Sequence, residues 1–165
     1  MSYVNFNNKL EDQKINQRYY TVYTAGGAHI AAAVIDTNAL PDFIVNKVKI
    51  KSMGFIPDVK TFYYSTNNKE EAYYLVSVLN SNFLDDKIKK DQTKGKFGPR
   101  DIHRRPFEYN IPIYNKKDEL HTRLYQLGII CTKEAEKLKK TSRMKIKNQL
   151  KELDEIDEIV KNILE

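Results

Sequence analysis

The chain has 165 residues, 28 Lys and Arg against 22 Asp and Glu for a formal charge of +6, and 41% apolar residues including eleven Tyr and seven Phe. That is enough for one domain of about 100–200 residues, and it excludes a disordered tail or a collagen-like fibre. A single cysteine, Cys131, excludes a disulfide framework and a cysteine-rich zinc site, and three scattered histidines argue against a metal cluster.

Residues 1–17 are rich in Asn, Lys and Gln without periodicity, and read as a flexible lead-in; Asn5, Asn7, Asn8, Glu11 and Asp12 stand where a secretory signal would carry apolar residues. The longest aliphatic run, Ile30 to Ile35, has six residues, far from the roughly 20 of a membrane-spanning helix, so the expected compartment is the cytoplasm. Tyr19, Tyr20, Val22 and Tyr23, then Gly26-Gly27, then Ile30 to Ile35, predict two strands joined by a glycine turn. After Pro41, Val48 and Ile50 alternate with Lys47, Lys49 and Lys51, the period of a half-buried strand with a basic outer face. Met53 to Ile56 and Lys60 to Tyr64 are further strand candidates, which makes the N-terminal part a small sheet.

The period then becomes helical. Ala72, Leu75, Val76, Leu79 and Phe83 form one apolar stripe, with Asn67 as the expected N-cap and Glu70 and Glu71 in the first turn. Asn80-Ser81 ends this helix, bends the chain and caps a second helix through Leu84 and Ile88 to Lys90. Asp91 to Arg105 is a basic loop with Gly95 and Gly98, and Tyr109 to Tyr114, interrupted by Pro112, reads as an edge strand. From Leu120 the spacing Leu120, Leu124, Leu127, Cys131, Ala135, Leu138 predicts a helix, and Ile146, Leu150, Leu153, Ile156, Val160, Ile163 a second. Together, residues 118–165 read as a helical hairpin or coiled-coil arm, able to dock a partner or to self-associate through its C-terminal helices. The fold class is therefore α+β, with a small N-terminal β-sheet, a central helix pair and a C-terminal helical hairpin.

Charge is uneven along the chain. Asp85 to Arg105 holds eight basic and four acidic residues, Lys133 to Lys151 eight and two, and Glu152 to Glu165 one and six. In the first of these segments Lys94, Lys96, Arg100, His103, Arg104 and Arg105 surround Gly95, Phe97 and Gly98. Arginine forks two hydrogen bonds onto phosphate or guanine, lysine adds undirected charge, and glycine lets backbone approach backbone. Those six are the candidate DNA-binding residues. The chain has no glycine-rich phosphate loop, dinucleotide fingerprint, nucleophile elbow or zinc-protease motif, so no catalytic residue, bound cofactor or metal site is expected. One enzymatic alternative remains: Pro57-Asp58 with Asp85-Asp86-Lys87 has the residue types of a magnesium-dependent nuclease.

Two stretches carry a family resemblance. Glu70 to Ser81, E-E-A-Y-Y-L-V-S-V-L-N-S, and Lys96 to Pro112, K-F-G-P-R-D-I-H-R-R-P-F-E-Y-N-I-P, resemble the C-terminal target-recognition (specificity) domain of TaqI-type N6-adenine DNA methyltransferases and related type IIG restriction-modification enzymes. Phe62 to Thr66 and Leu120 to Leu124 fit the same pattern. The resemblance implies a non-catalytic DNA-binding module, residues 18–117, that reads double-stranded DNA for a methyltransferase or endonuclease catalytic domain or subunit. S-adenosylmethionine would be bound only by that catalytic partner, whose motifs are not in this sequence. A protein-interaction subunit, with a helical docking arm and a merely structural basic loop, is the alternative from a different class.

Overall fold

Tyrosines and β-branched residues, which fill a pleated half-buried surface well, build the central sheet. The structure, a computed structural model, describes residues 16–52, 54–57, 60–92, 94–95, 98–99, 102–138 and 143–165, with backbone alone at 94, 95, 98, 99, 143 and 144. The expected lead-in falls almost wholly outside the described residues, as do Met53, Asp58, Lys96 and Arg100. Strands β1 (Tyr19–Thr24), β2 (Ala32–Asp36) and β5 (Thr61–Thr66) form an antiparallel sheet in the order β2-β1-β5. Strands β3 (Phe43–Val45) and β4 (Val48–Ile50) pair only with each other, and β6 (Lys94–Gly95) and β7 (Gly98–Pro99) form a minimal two-residue pair. The helices are α1 (Lys69–Asn80), α2 (Asn82–Asp91), α3 (Glu119–Lys137), α4 (Arg143–Lys147) and α5 (Leu153–Leu164).

Helix α1 is the hub. Directly opposed residues of an antiparallel pair point to one face, so Tyr19, Thr21 and Tyr23 share a face, and the Thr21 hydroxyl bonds to the Ala72 carbonyl of α1 at 3.1 Å. On its other side α1 makes its most extensive contact with α3. Gly128 is the reason the two helices approach so closely: a Cβ there would overlap the Tyr73 carbonyl oxygen and the Ser77 hydroxyl. Ser77 Oγ donates to the Leu124 carbonyl at 2.8 Å, which locks the crossing. Tyr74, Val78, Leu84, Ile88, Ile102, Leu124, Leu127, Ile156 and Val160 then form one continuous buried core.

The corner between α1 and α2 follows the expectation: Ser81 ends the first helix, and its Oγ caps the second by accepting from the Leu84 amide at 3.2 Å. The α1 cap lies one residue later than expected. Asn68 Oδ1 accepts from the Glu70 and Glu71 amides, while Asn67 Oδ1 is taken by the Arg18 amide at 2.9 Å.

Four further expectations are corrected. The connection from β1 to β2 runs from Ala25 to Ala31, a seven-residue loop rather than a tight glycine turn, because the Ile30 amide and His29 ring are drawn away to Asp85. Gly54 to Ile56 is not a strand; Phe55 instead packs edge-on to Tyr20, with centroids 5.7 Å apart. Tyr109 to Tyr114 pairs with no strand among the described residues, and its Pro112 carbonyl accepts from Tyr74 Oη at 3.0 Å. The last apolar repeat is broken into α4 and α5 by turns over residues 148–152.

The C-terminal segment folds back. Leu153, Ile156, Ile159 and Val160 are buried against α2 and α3, so the apolar side expected of a docking arm lies within the core. Asp157 accepts from the Asn82 and Phe83 amides at 2.6 and 3.3 Å, capping α2 from outside. The Arg123 guanidinium forks onto Glu155 at 2.6 and 2.8 Å and holds that carboxyl below its ordinary range. Gly128→Ala should lower stability by about 2–3 kcal/mol, since the added methyl meets a backbone carbonyl rather than a yielding side chain. Thermal denaturation followed by circular dichroism measures this, and an unchanged midpoint would mean that the α1–α3 crossing relaxes freely.

Candidate nucleic-acid interface

The basic loop ends in a turn bolted to the end of β1. The Ala25 carbonyl accepts from both the Ile102 amide at 3.0 Å and the His103 amide at 2.8 Å, and the Ala25 amide donates to the Lys60 carbonyl at 2.8 Å. Tyr23 Oη donates to the His103 carbonyl at 2.9 Å. The Arg105 amide closes the turn on the Ile102 carbonyl at 3.0 Å, and His103 sits at φ 40°, a left-handed conformation uncommon for any residue but glycine. Two hydrogen bonds to Ala25, just past β1, and one from Tyr23 of β1 hold it there.

Both ends of this turn are anchored by burial. Ile102 is fully enclosed in the core, and Pro106 is buried at the start of a 3-10 turn over Arg105–Glu108. Between these anchors His103 and Arg104 are exposed. Burial pushes the Tyr23 phenol far up from its ordinary pKa, against the opposing charge of Arg104. An aromatic group supports the turn from below: Tyr23 stacks on Phe62 at 5.4 Å, with Phe107 at 6.0 and 6.4 Å from the two rings and 58% exposed.

Of the six candidate DNA-binding residues, His103 and Arg104, adjacent in sequence, are exposed at this turn. Arg105 points elsewhere: its Nη1 bonds Glu108 at 2.9 Å, and this pairing raises its pKa. Lys94 lies in β6, described for its backbone only, and Lys96 and Arg100 lie outside the described residues. The mounting residues Tyr23 and Ala25 were not identified from sequence, because nothing in local spacing links positions about 80 residues apart.

Of the acidic residues of the nuclease alternative, Asp85 is held inside the fold. Asp85 is nearly fully buried; its Oδ1 accepts from the Ile30 amide at 2.8 Å, and its Oδ2 meets His29 Nδ1 at 2.7 Å and Lys89 Nζ at 3.0 Å. It ties the β1–β2 loop to α2. Asp86 is exposed and 3.4 Å from Lys89, Asp58 lies outside the described residues, and no group of three or more metal-ligating side chains occurs among the described residues.

Cys131 is a free, half-buried thiol. It lines an apolar cavity of about 470 Å³ with Val34, Val76, Ala135 and Leu150, and burial, then Glu152 and Glu134, push its thiol up to about 11. No helix among the described residues is long and apolar enough to cross a membrane. Comparison of the chain with protein-family models, curated proteins and solved structures finds no match.

Asp85→Ala strands the Ile30 amide and leaves the His29 ring and the Lys89 ammonium without their shared carboxylate, so it should cost about 3 kcal/mol in denaturant unfolding. Asp85→Asn, which keeps an acceptor for the amide, should cost visibly less. A nuclease role predicts the opposite signature, metal-dependent DNA cleavage lost in both variants with stability retained.

Proposed function

We propose that this chain is a DNA target-recognition module of a restriction-modification type, serving an N6-adenine DNA methyltransferase or endonuclease catalytic partner and performing no catalysis itself. The observation that carries the reading is the turn at His103 and Arg104: two exposed basic side chains on a backbone clamped to the sheet, inside the stretch that resembles such modules. With the backbone already fixed, an arginine here has only its side-chain freedom to lose in forking onto a phosphate. Phosphate contacts of this kind fix the register of a protein on a duplex, whereas base edges are read by other groups.

Docking would proceed by charge attraction of the +6 chain to the duplex, then by seating of the turn on the phosphate backbone. S-adenosylmethionine belongs to the catalytic partner in this scheme. The protein-interaction alternative has less to rest on in its original form, because α3 and α5 turn the apolar residues of the expected arm into the core.

Fluorescence anisotropy with labelled duplex at a series of salt concentrations tests the proposal. Each phosphate contact contributes about −0.9 to the slope of log affinity against log salt; about five contacts give a slope near −4.5. Arg104→Ala should weaken binding across all sequences and make the slope shallower by about 1, with an unchanged melting temperature, since the side chain is exposed. No binding at low salt would overturn the reading.

A further inference from the structure

The 3-10 turn over Arg105–Glu108 puts a large apolar ring on the surface directly after the basic turn: Phe107 is 58% exposed. Its backbone is fixed on both sides. Pro106 before it is buried, the Phe107 amide donates to the Arg104 carbonyl at 2.9 Å, and Arg105 reaches across to Glu108 at 2.9 Å. The ring itself rests on two aromatic residues of the sheet. Tyr23 and Phe62 stand directly opposite each other across β1 and β5 and stack at 5.4 Å. Phe107 meets Tyr23 at 6.0 Å, tilted by 55°, and Phe62 edge-on at 6.4 Å.

Tyr23 therefore carries two features at once. Its ring backs Phe107, and its hydroxyl donates to the His103 carbonyl at 2.9 Å. The exposed ring and the basic turn are fixed relative to each other through this one side chain. A third basic residue is brought to the same end of the sheet: the Ala25 carbonyl accepts from the His103 amide, the Ala25 amide donates to the Lys60 carbonyl at 2.8 Å, and Lys60 is exposed. Glu108, the carboxylate next to Phe107 in sequence, is paired with Arg105, so the 3-10 turn presents no net negative charge. An apolar ring among exposed basic residues suits a polyanion with flat apolar faces, which is the character of nucleic acid.

We propose that Phe107 is a base-stacking residue: with the His103–Arg104 turn on a phosphate, its ring enters the base stack at the adjoining step of the bound DNA. The inference rests on the reading of this chain as a DNA-binding module, and it adds a contact to bases where that reading supplies contacts to the backbone. Apolar side chains that enter a duplex part neighbouring bases, and the energy for this comes from the ring–base contact and from the protein surface that the bent DNA then meets. A phenyl ring offers no hydrogen-bond code, so the contact senses how readily a step unstacks and leaves base identity to other groups. Such a ring must hold its place against the stack. Phe107 has two rotatable side-chain bonds, a fixed turn beneath it and two rings behind it.

The chain contains no tryptophan, so Phe107→Trp makes the stacking position the sole indole emitter of the full chain while keeping a ring against Tyr23 and Phe62. The probes are two duplexes of one sequence, fully paired or with a central abasic site, where less stacking has to be broken. The expected result is quenched indole emission on binding, with the bound indole shielded from acrylamide. The parent chain should bind the abasic duplex at least about fivefold more tightly, the lower end of what one base stack gives. Phe107→Ala should lose that preference and keep the parent's slope of log affinity against log salt, whereas Arg104→Ala makes the slope shallower. Its melting temperature checks that the fold survives, and Phe107→Trp carries the test if it does not. Salt-sensitive binding that leaves the indole as open to acrylamide as in the free protein overturns the stacking contact and leaves the recognition reading standing. So does equal affinity of the parent for the two duplexes, or a preference that persists in Phe107→Ala. Absence of binding to either duplex at low salt overturns that reading and this inference together.

Discussion

The close crossing of α1 and α3 at Gly128 is the constraint from which the other contacts follow. With hydrogen in place of a side chain, the α3 backbone lies against Tyr73 and Ser77, and the Ser77–Leu124 hydrogen bond fixes the helices in register. That approach puts Leu124 and Leu127 into the core beside Tyr74 and Val78, and it leaves α2, turned aside at Ser81, to form the next wall with α5. A larger residue would push α3 outward, and the His121 ring, now 4.7 Å from the Tyr74 ring with its Nδ1 accepting from the Asn115 amide at 3.0 Å, would lose its seat.

Short polar side chains tie the irregular segments to this helical frame. Asp85 holds the β1–β2 loop through the Ile30 amide, Asn80 bonds both the amide and the carbonyl of Ala32, at 2.9 and 2.8 Å, and Asp157 caps α2 from α5. Buried backbone groups outside regular structure need partners, and here α1, α2 and α5 supply them to the loops. The basic turn uses the same device in reverse. The sheet supplies the Ala25 carbonyl and the Tyr23 hydroxyl, and the loop supplies the backbone.

This explains which features could be read from the residues alone. The α1 stripe from Ala72 to Leu79 and the Ser81 corner are local, written in i, i+3, i+4 spacing and in one capping hydroxyl, and both stand where the spacing put them. The cap expected at Asn67 is supplied by Asn68, because the Asn67 side chain is taken by the Arg18 amide, 49 residues away. Likewise Leu153, Ile156 and Val160 have the same spacing in a projecting coiled coil and in a helix lying on a core; only the neighbours distinguish them. Of the candidate site, the composition of the loop was readable, but the pairing of Arg105 with Glu108 and the clamp on His103 depend on the path of the chain.

Hydrophobic periodicity thus reports which residues share a face and leaves open what covers that face. In α5 the acidic and apolar halves of one helix both find intramolecular partners: Arg123 for Glu155, the α2 amides for Asp157, and the core for Ile156 and Val160. In the β3–β4 hairpin the pattern is equally regular, yet Phe43, Val45, Val48 and Ile50 face outward and, of the three lysines, Lys49 pairs with Asp42 at 2.8 Å. Two segments of similar amphipathic character therefore end in opposite places. Leaving four large apolar side chains in water forgoes the stabilisation that burial gives, about 25 cal/mol per Å².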